Sequence, residues 1–159
     1  MKRFTIVLLC LFFGVAFFAC HQKTEEDAVR GVVREIQAAA EQKDVKNFIR
    51  HLSESYLDPQ GNNREMIKAL LMGYFFRYPK ISVYLSNLQI KIEGTRADVS
   101  FEAVLTSGEK TGSLKDILPQ ALGIYAFDVI MKKESRDWKV VFARWEDIGS
   151  SGDSSGVKP

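Results

Sequence analysis

The chain has 159 residues, with 22 Lys and Arg against 20 Asp and Glu. That near balance removes the basic excess on which nucleic-acid binding draws, and no nucleic-acid partner is expected. Both cysteines, Cys10 and Cys20, fall in the first twenty residues, and the two histidines are well separated. This excludes a thiolate or zinc site in the body of the chain.

The N-terminus opens with Lys2 and Arg3, continues through an apolar run from Phe4 to Phe18, and reaches Ala19-Cys20 before turning polar. A retained membrane-spanning helix needs roughly 20 apolar residues, so this shorter run fits the apolar region of an export signal, with an uncleaved anchor and plain secretion as the alternatives to a lipid-anchored product. Phe17-Phe18-Ala19-Cys20 resembles a bacterial lipobox, with Phe17 standing where such motifs usually carry Leu. The resemblance implies cleavage before Cys20 and acylation of its thiol with a palmitate-type lipid, giving a membrane-anchored envelope lipoprotein that faces the periplasm. His21 replaces the Asp of the inner-membrane retention signal, which favours the outer membrane. The expected organisation is a signal peptide over 1–19, a lipidated tether over 20–23, a folded domain over 24–148 and a disordered tail over 149–159. With Lys2 and Arg3 removed, 20 basic residues face 20 acidic ones.

Helices fill the first half of the domain. Thr24 followed by Glu25, Glu26 and Asp27 reads as an N-cap with acids in the first turn. Val29, Val32, Val33, Ile36, Ala39 and Ala40 then recur at helical spacing. Asp44 caps a shorter helix carrying Val45, Phe48, Ile49 and Leu52. After a turn over Tyr56–Gly61, Asn62 or Asn63 caps a third helix with Met66, Leu70, Leu71, Tyr74 and Phe75 along it, ended by Pro79. The dense apolar stretch from Leu70 to Phe76 reads as core, with the lining of a hydrophobic pocket as the alternative.

Strands fill the second half. Ile81, Val83 and Leu85 alternate, as do Leu88, Ile90 and Ile92, but the phase shifts between the two sets, so a bulge is expected near Ser86-Asn87. A turn over Glu93–Arg96 leads to a strand whose apolar side is Val99, Phe101, Ala103 and Leu105. A loop over Thr106–Gln120 holds a turn of helix at Leu114–Leu118. Two further strands, Gly123–Lys133 and Trp138–Asp147, meet at a hairpin. A two-residue loop at Ser135-Arg136 pairs Met131 with Val140, Val129 with Phe142, Phe127 with Arg144 and Tyr125 with Glu146. The face holding Tyr125, Phe127, Val129, Met131, Trp138, Val140 and Phe142 is assigned to the core. Helices followed by a strand meander imply an α+β fold, with N-terminal helices packed on a curved antiparallel sheet of four or more strands.

Asp44-Val45, Tyr56-Leu57-Asp58 and Trp138-Lys139-Val140-Val141 with Trp145 resemble the nuclear transport factor 2-like (cystatin-like) superfamily, over roughly Asp27–Ile148. The resemblance implies a cone-like domain. Its members include isomerases, dehydratases and non-enzymatic binding or accessory domains, so it does not choose a function.

No phosphate-binding loop, dinucleotide fingerprint, nucleophile elbow or metalloprotease motif is present, and no cofactor or metal is expected. No complete catalytic constellation is found. Arg144 and Glu146 continue the inward phase and would reach the cone's mouth beside Tyr125, with His51 at its edge. A salt bridge at the rim is the plainer role for the pair. Asp128 belongs on the outer face, in a cross-strand ion pair. Val141, Ala143 and Trp145 form a candidate partner face, through which superfamily members often dimerise. The expected function is a non-catalytic binding or assembly domain taking a small-molecule or peptide ligand or a partner such as a second copy. The alternatives are an isomerase- or dehydratase-like enzyme using a Tyr and an acid in the cone, and a purely structural envelope protein.

Overall fold

The computed structural model describes residues 24–107 and 121–149. The signal segment, Cys20, the tether, the turn of helix expected at 114–118 and the tail from 150 lie outside the described residues.

Helix α1 (Glu25–Glu41) begins where its sequence stops being free to begin elsewhere. The Thr24 hydroxyl accepts the Asp27 backbone N–H, and the Asp27 carboxylate accepts the Thr24 N–H, each at 3.1 Å. This reciprocal cap satisfies two donors that the first turn would leave unpaired. Helix α2 (Val45–Ile49) is capped by Asp44, which accepts the Asn47 N–H at 3.0 Å. Helix α3 (Arg64–Arg77) is capped by Asn63 and stops before Pro79.

Four strands follow, β1 (Ser82–Glu93), β2 (Arg96–Thr106), β3 (Ala121–Glu134) and β4 (Asp137–Asp147), forming one antiparallel sheet in the order β1-β2-β3-β4. Val29 and Val33 of α1, with Ile49, Leu52 and Tyr56, pack against Val99, Val129, Met131, Trp138 and Val140 of the sheet. The α+β reading holds. So does the bulge in β1, where the register shifts between Ser86 and Gln89 and Asn87 takes a positive φ of 54°.

A second bulge departs from the expected register. Met131 pairs with Val140, but Ile130 pairs with Phe142, so Val141 is an extra residue with no partner across β3. Because side chains alternate with a period of two, one inserted residue exchanges the faces of everything beyond it. Val129 therefore faces Ala143, Phe127 faces Trp145, and Asp128 faces Arg144. The outer edge of β4 holds the bulge in place. Val140 N–H donates to the His51 carbonyl at 2.9 Å, Ser53 N–H to the Val140 carbonyl at 2.8 Å, and Leu57 N–H to the Val141 carbonyl at 3.2 Å.

Helix α3 also departs from expectation. Ile67, Leu71, Tyr74 and Phe75 turn inward, while Met66 and Leu70 face out and Phe76 is 93% exposed. The helix is apolar on both sides, so its sequence pattern did not say which side packs.

The shifted phase is testable by substitution. Ala143→Asp places an unpaired carboxylate among core side chains and should lower stability by about 3 kcal/mol or more in urea unfolding. Arg144→Ser should leave the unfolding midpoint nearly unchanged. An unshifted strand gives the reverse order.

Candidate functional site

Helices and sheet enclose a cavity of about 280 Å³. The C-terminal half of α1 contributes Val33, Ile36, Gln37 and Ala40, and α3 contributes Ile67, Leu71, Tyr74 and Phe75. The sheet supplies an aromatic wall. The Phe101 and Phe127 rings stack with centroids 5.0 Å apart, and Trp145 lies 6.3 Å from Phe127. Small side chains at Ala40, Ala103 and Ala143 leave the space open.

Among the described residues no charged side chain lines this cavity; Gln37, Tyr56, Tyr74 and the Trp145 indole are its polar members. The Gln37 amide donates to the Val83 carbonyl at 2.7 Å, and Glu41 accepts the Val83 N–H at 3.0 Å, so α1 closes the edge of β1 with side chains. Burial, followed by the nearby Asp58 carboxylate, raises the Tyr56 phenol well above its usual value. Burial raises Tyr74 as well, with Tyr78 and Tyr125 adding to the effect. Both phenols are neutral proton donors at physiological pH.

The sequence-derived site residues are not brought together. Arg144 and Glu146, expected at the mouth beside Tyr125, lie on the outer face because of the β4 bulge. Arg144 pairs with Asp128 at 2.6 Å and sits 4.0 Å from Glu146. Asp128 is thus on the outer face as expected, with Arg144 as its partner. Tyr125 keeps its inward place, its ring edge-on to Phe127 at 6.3 Å. That ring folds over Gly123, where any Cβ would collide with it. The partner face of Val141, Ala143 and Trp145 does not form, since Ala143 and Trp145 line the cavity and Val141 is the bulge residue.

His51 is buried, but at the other end of the domain, against Trp138 and Lys139. Its Nε2 accepts from Arg50 Nε at 3.2 Å and lies 3.2 Å from a Glu35 oxygen. Burial and then the Arg50 charge hold it below the usual 6.5, with Glu35 opposing. Asp58 is the one buried carboxylate among the described residues. It is fully engaged by the Gln60 N–H at 2.9 Å, the Asn62 N–H at 2.8 Å and the Asn62 amide at 2.8 Å, and serves the turn. Among the described residues no group of three or more His, Cys, Asp or Glu is placed to hold a metal.

Comparison with solved structures identifies the fold as the NTF2-like, cystatin-like cone. A Nostoc punctiforme protein of unknown function with a cystatin-like fold superposes with a TM-score of 0.64 at 13% identity, covering 80% of this chain and 95% of that one. A Novosphingobium aromaticivorans protein named a putative scytalone dehydratase gives 0.62 at 16% identity, covering 77% and 83%. Bd1075 of Bdellovibrio bacteriovorus gives 0.63 at 15% identity over 75% of this chain, which spans only 39% of that one. No family model and no curated protein matches the chain.

The His51 environment carries a pH dependence. A folded-state value below 6.5 means that the unfolded chain takes up a proton the folded chain resists. The contribution is present above that value and lost as pH falls through the folded one. The urea midpoint should drop between about pH 7.5 and 5.5, and His51→Gln should flatten that slope.

Proposed function

We propose that the chain is an envelope lipoprotein whose cone domain binds a small apolar ligand and performs no chemistry on it. The observation that carries this reading is an open cavity of about 280 Å³ with no charged side chain among the described residues that line it. General acid–base catalysis needs a titratable group within hydrogen-bond reach of the reacting atom. Here the buried carboxylate is committed to a turn and the buried histidine lies outside the cavity. A purely structural protein would be expected to fill its cone, and three alanines line this one.

The lipobox-like Phe17–Cys20 segment supports a lipid on Cys20, and His21 after it supports the outer membrane. Three residues separate Cys20 from Thr24. Glu25, at the start of α1, bonds Lys133 at 2.5 Å and the Trp138 indole at 2.9 Å, beside the β3–β4 hairpin. The cavity lies against the C-terminal half of α1, from Val33 to Ala40, and Glu25 opens the helix about 12 Å before Val33.

Two measurements test this reading. Labelling with a palmitate analogue should tag the wild type and not Cys20→Ser; equal label in both removes the anchor. Native mass spectrometry of protein purified from its membrane should retain a small neutral ligand, and its consistent absence counts against the binding role.

A further inference from the structure

We infer that the cavity takes the uncharged hydrocarbon chain of an alkyl or acyl compound, on the order of ten carbons, inserted with its polar end left at the Tyr74 side. This rests on the binding reading above and names its ligand class.

Size sets the first limit. An apolar cavity of about 150 Å³ takes benzene, so by comparison about 280 Å³ holds on the order of ten carbons. Polarity sets the second limit. Ile36, Leu71, Phe101 and Phe127 offer a ligand no hydrogen bond, and the Gln37 amide donor is already held by Val83. A hydroxyl, amide or charge set among these four apolar side chains would give up its water and gain no partner from them. Methylenes suffer no such loss, and each adds to the transfer free energy.

Orientation follows from where the phenols are. Tyr74 lines the cavity, its ring stands 4.7 Å from that of Tyr78, and its hydroxyl feels that of Tyr125. Tyr74 and Tyr78 both pack beside Ile81 and Phe75, so phenol hydroxyls gather at that end. An alcohol or ester oxygen fits there, whereas a cationic head meets no counter-charge among the described residues that line the cavity.

Decan-1-ol and decane-1,10-diol are the probes, because they match in length and differ in the hydroxyl that must go deep. Trp145 reports occupancy by fluorescence, and Trp145→Phe identifies its share of the signal. Decan-1-ol should bind at least about 10-fold more tightly than the diol. Ala143→Phe, which fills the cavity, should weaken decan-1-ol at least about 10-fold while thermal unfolding stays cooperative. Should that variant fail to fold, Ala103→Leu replaces it. Phosphatidylcholine vesicles form a second arm. A Trp145 response to vesicles assigns the chain to a membrane lipid, and a response to the free alcohol alone assigns it to a free compound; both support the class. Equal binding of the two alcohols, or unchanged affinity in the filled variants, overturns it. No binding of either alcohol overturns it too. A polar ligand retained in native mass spectrometry would then leave the general binding role standing.

Discussion

One inserted residue in the last strand decides what the cone contains. With Val141 bulged out between Val140 and Phe142, the inward set of β4 changes from even to odd positions. Ala143 and Trp145 then face the cavity, and Arg144 and Glu146 face away from it. Without the insertion, a guanidinium and a carboxylate would stand where the wall is now alanine and indole. The bulge is held from outside the sheet, by backbone bonds from His51, Ser53 and Leu57 to Val140 and Val141. The segment after α2 therefore does two things: it covers the free edge of β4 and it sets the chemistry of the interior.

Polar groups elsewhere are consistently used at the boundaries of the core. Gln37 and Glu41 serve the edge of β1, Asp58 serves a turn, Ser53 donates to Glu134 at 2.6 Å, and Glu25 ties α1 to the β3–β4 hairpin. Among the described residues no buried side-chain nitrogen or oxygen lacks a hydrogen-bond partner. Such a structure has satisfied its polar groups locally and leaves the centre to carbon and aromatic surface. The NTF2-like neighbours share the cone, but at identities of 13–16% among those compared they speak to the fold alone.

Much of this was legible in the sequence. Caps at Thr24, Asp44 and Asn63 are local chemistry, and a local reading finds them. The β1 bulge was legible because the apolar phase visibly breaks at Ser86-Asn87. The same signal exists in β4, where Trp138 and Val140 are followed by Ala143 and Trp145 with charged residues between. A hairpin register extended from Ser135-Arg136 without allowing for that break carried the error to Arg144, Glu146, Ala143 and Trp145 alike. In α3 nothing local separates Met66 and Leu70 from Ile67 and Leu71, because both sides are apolar and only packing chooses. Gln37 and Tyr56 escaped the sequence reading because a polar residue on a helix or turn carries no mark of lining a cavity.

Thiol labelling reads the phase of β4 beyond Val141. With both native cysteines replaced by serine, single cysteines at 143 and 144 report which position meets solvent. Arg144→Cys should be modified fast and Ala143→Cys slowly, with further slowing at 143 alone when decan-1-ol is present. Fast, ligand-insensitive labelling at 143 with protection at 144 would contradict that phase.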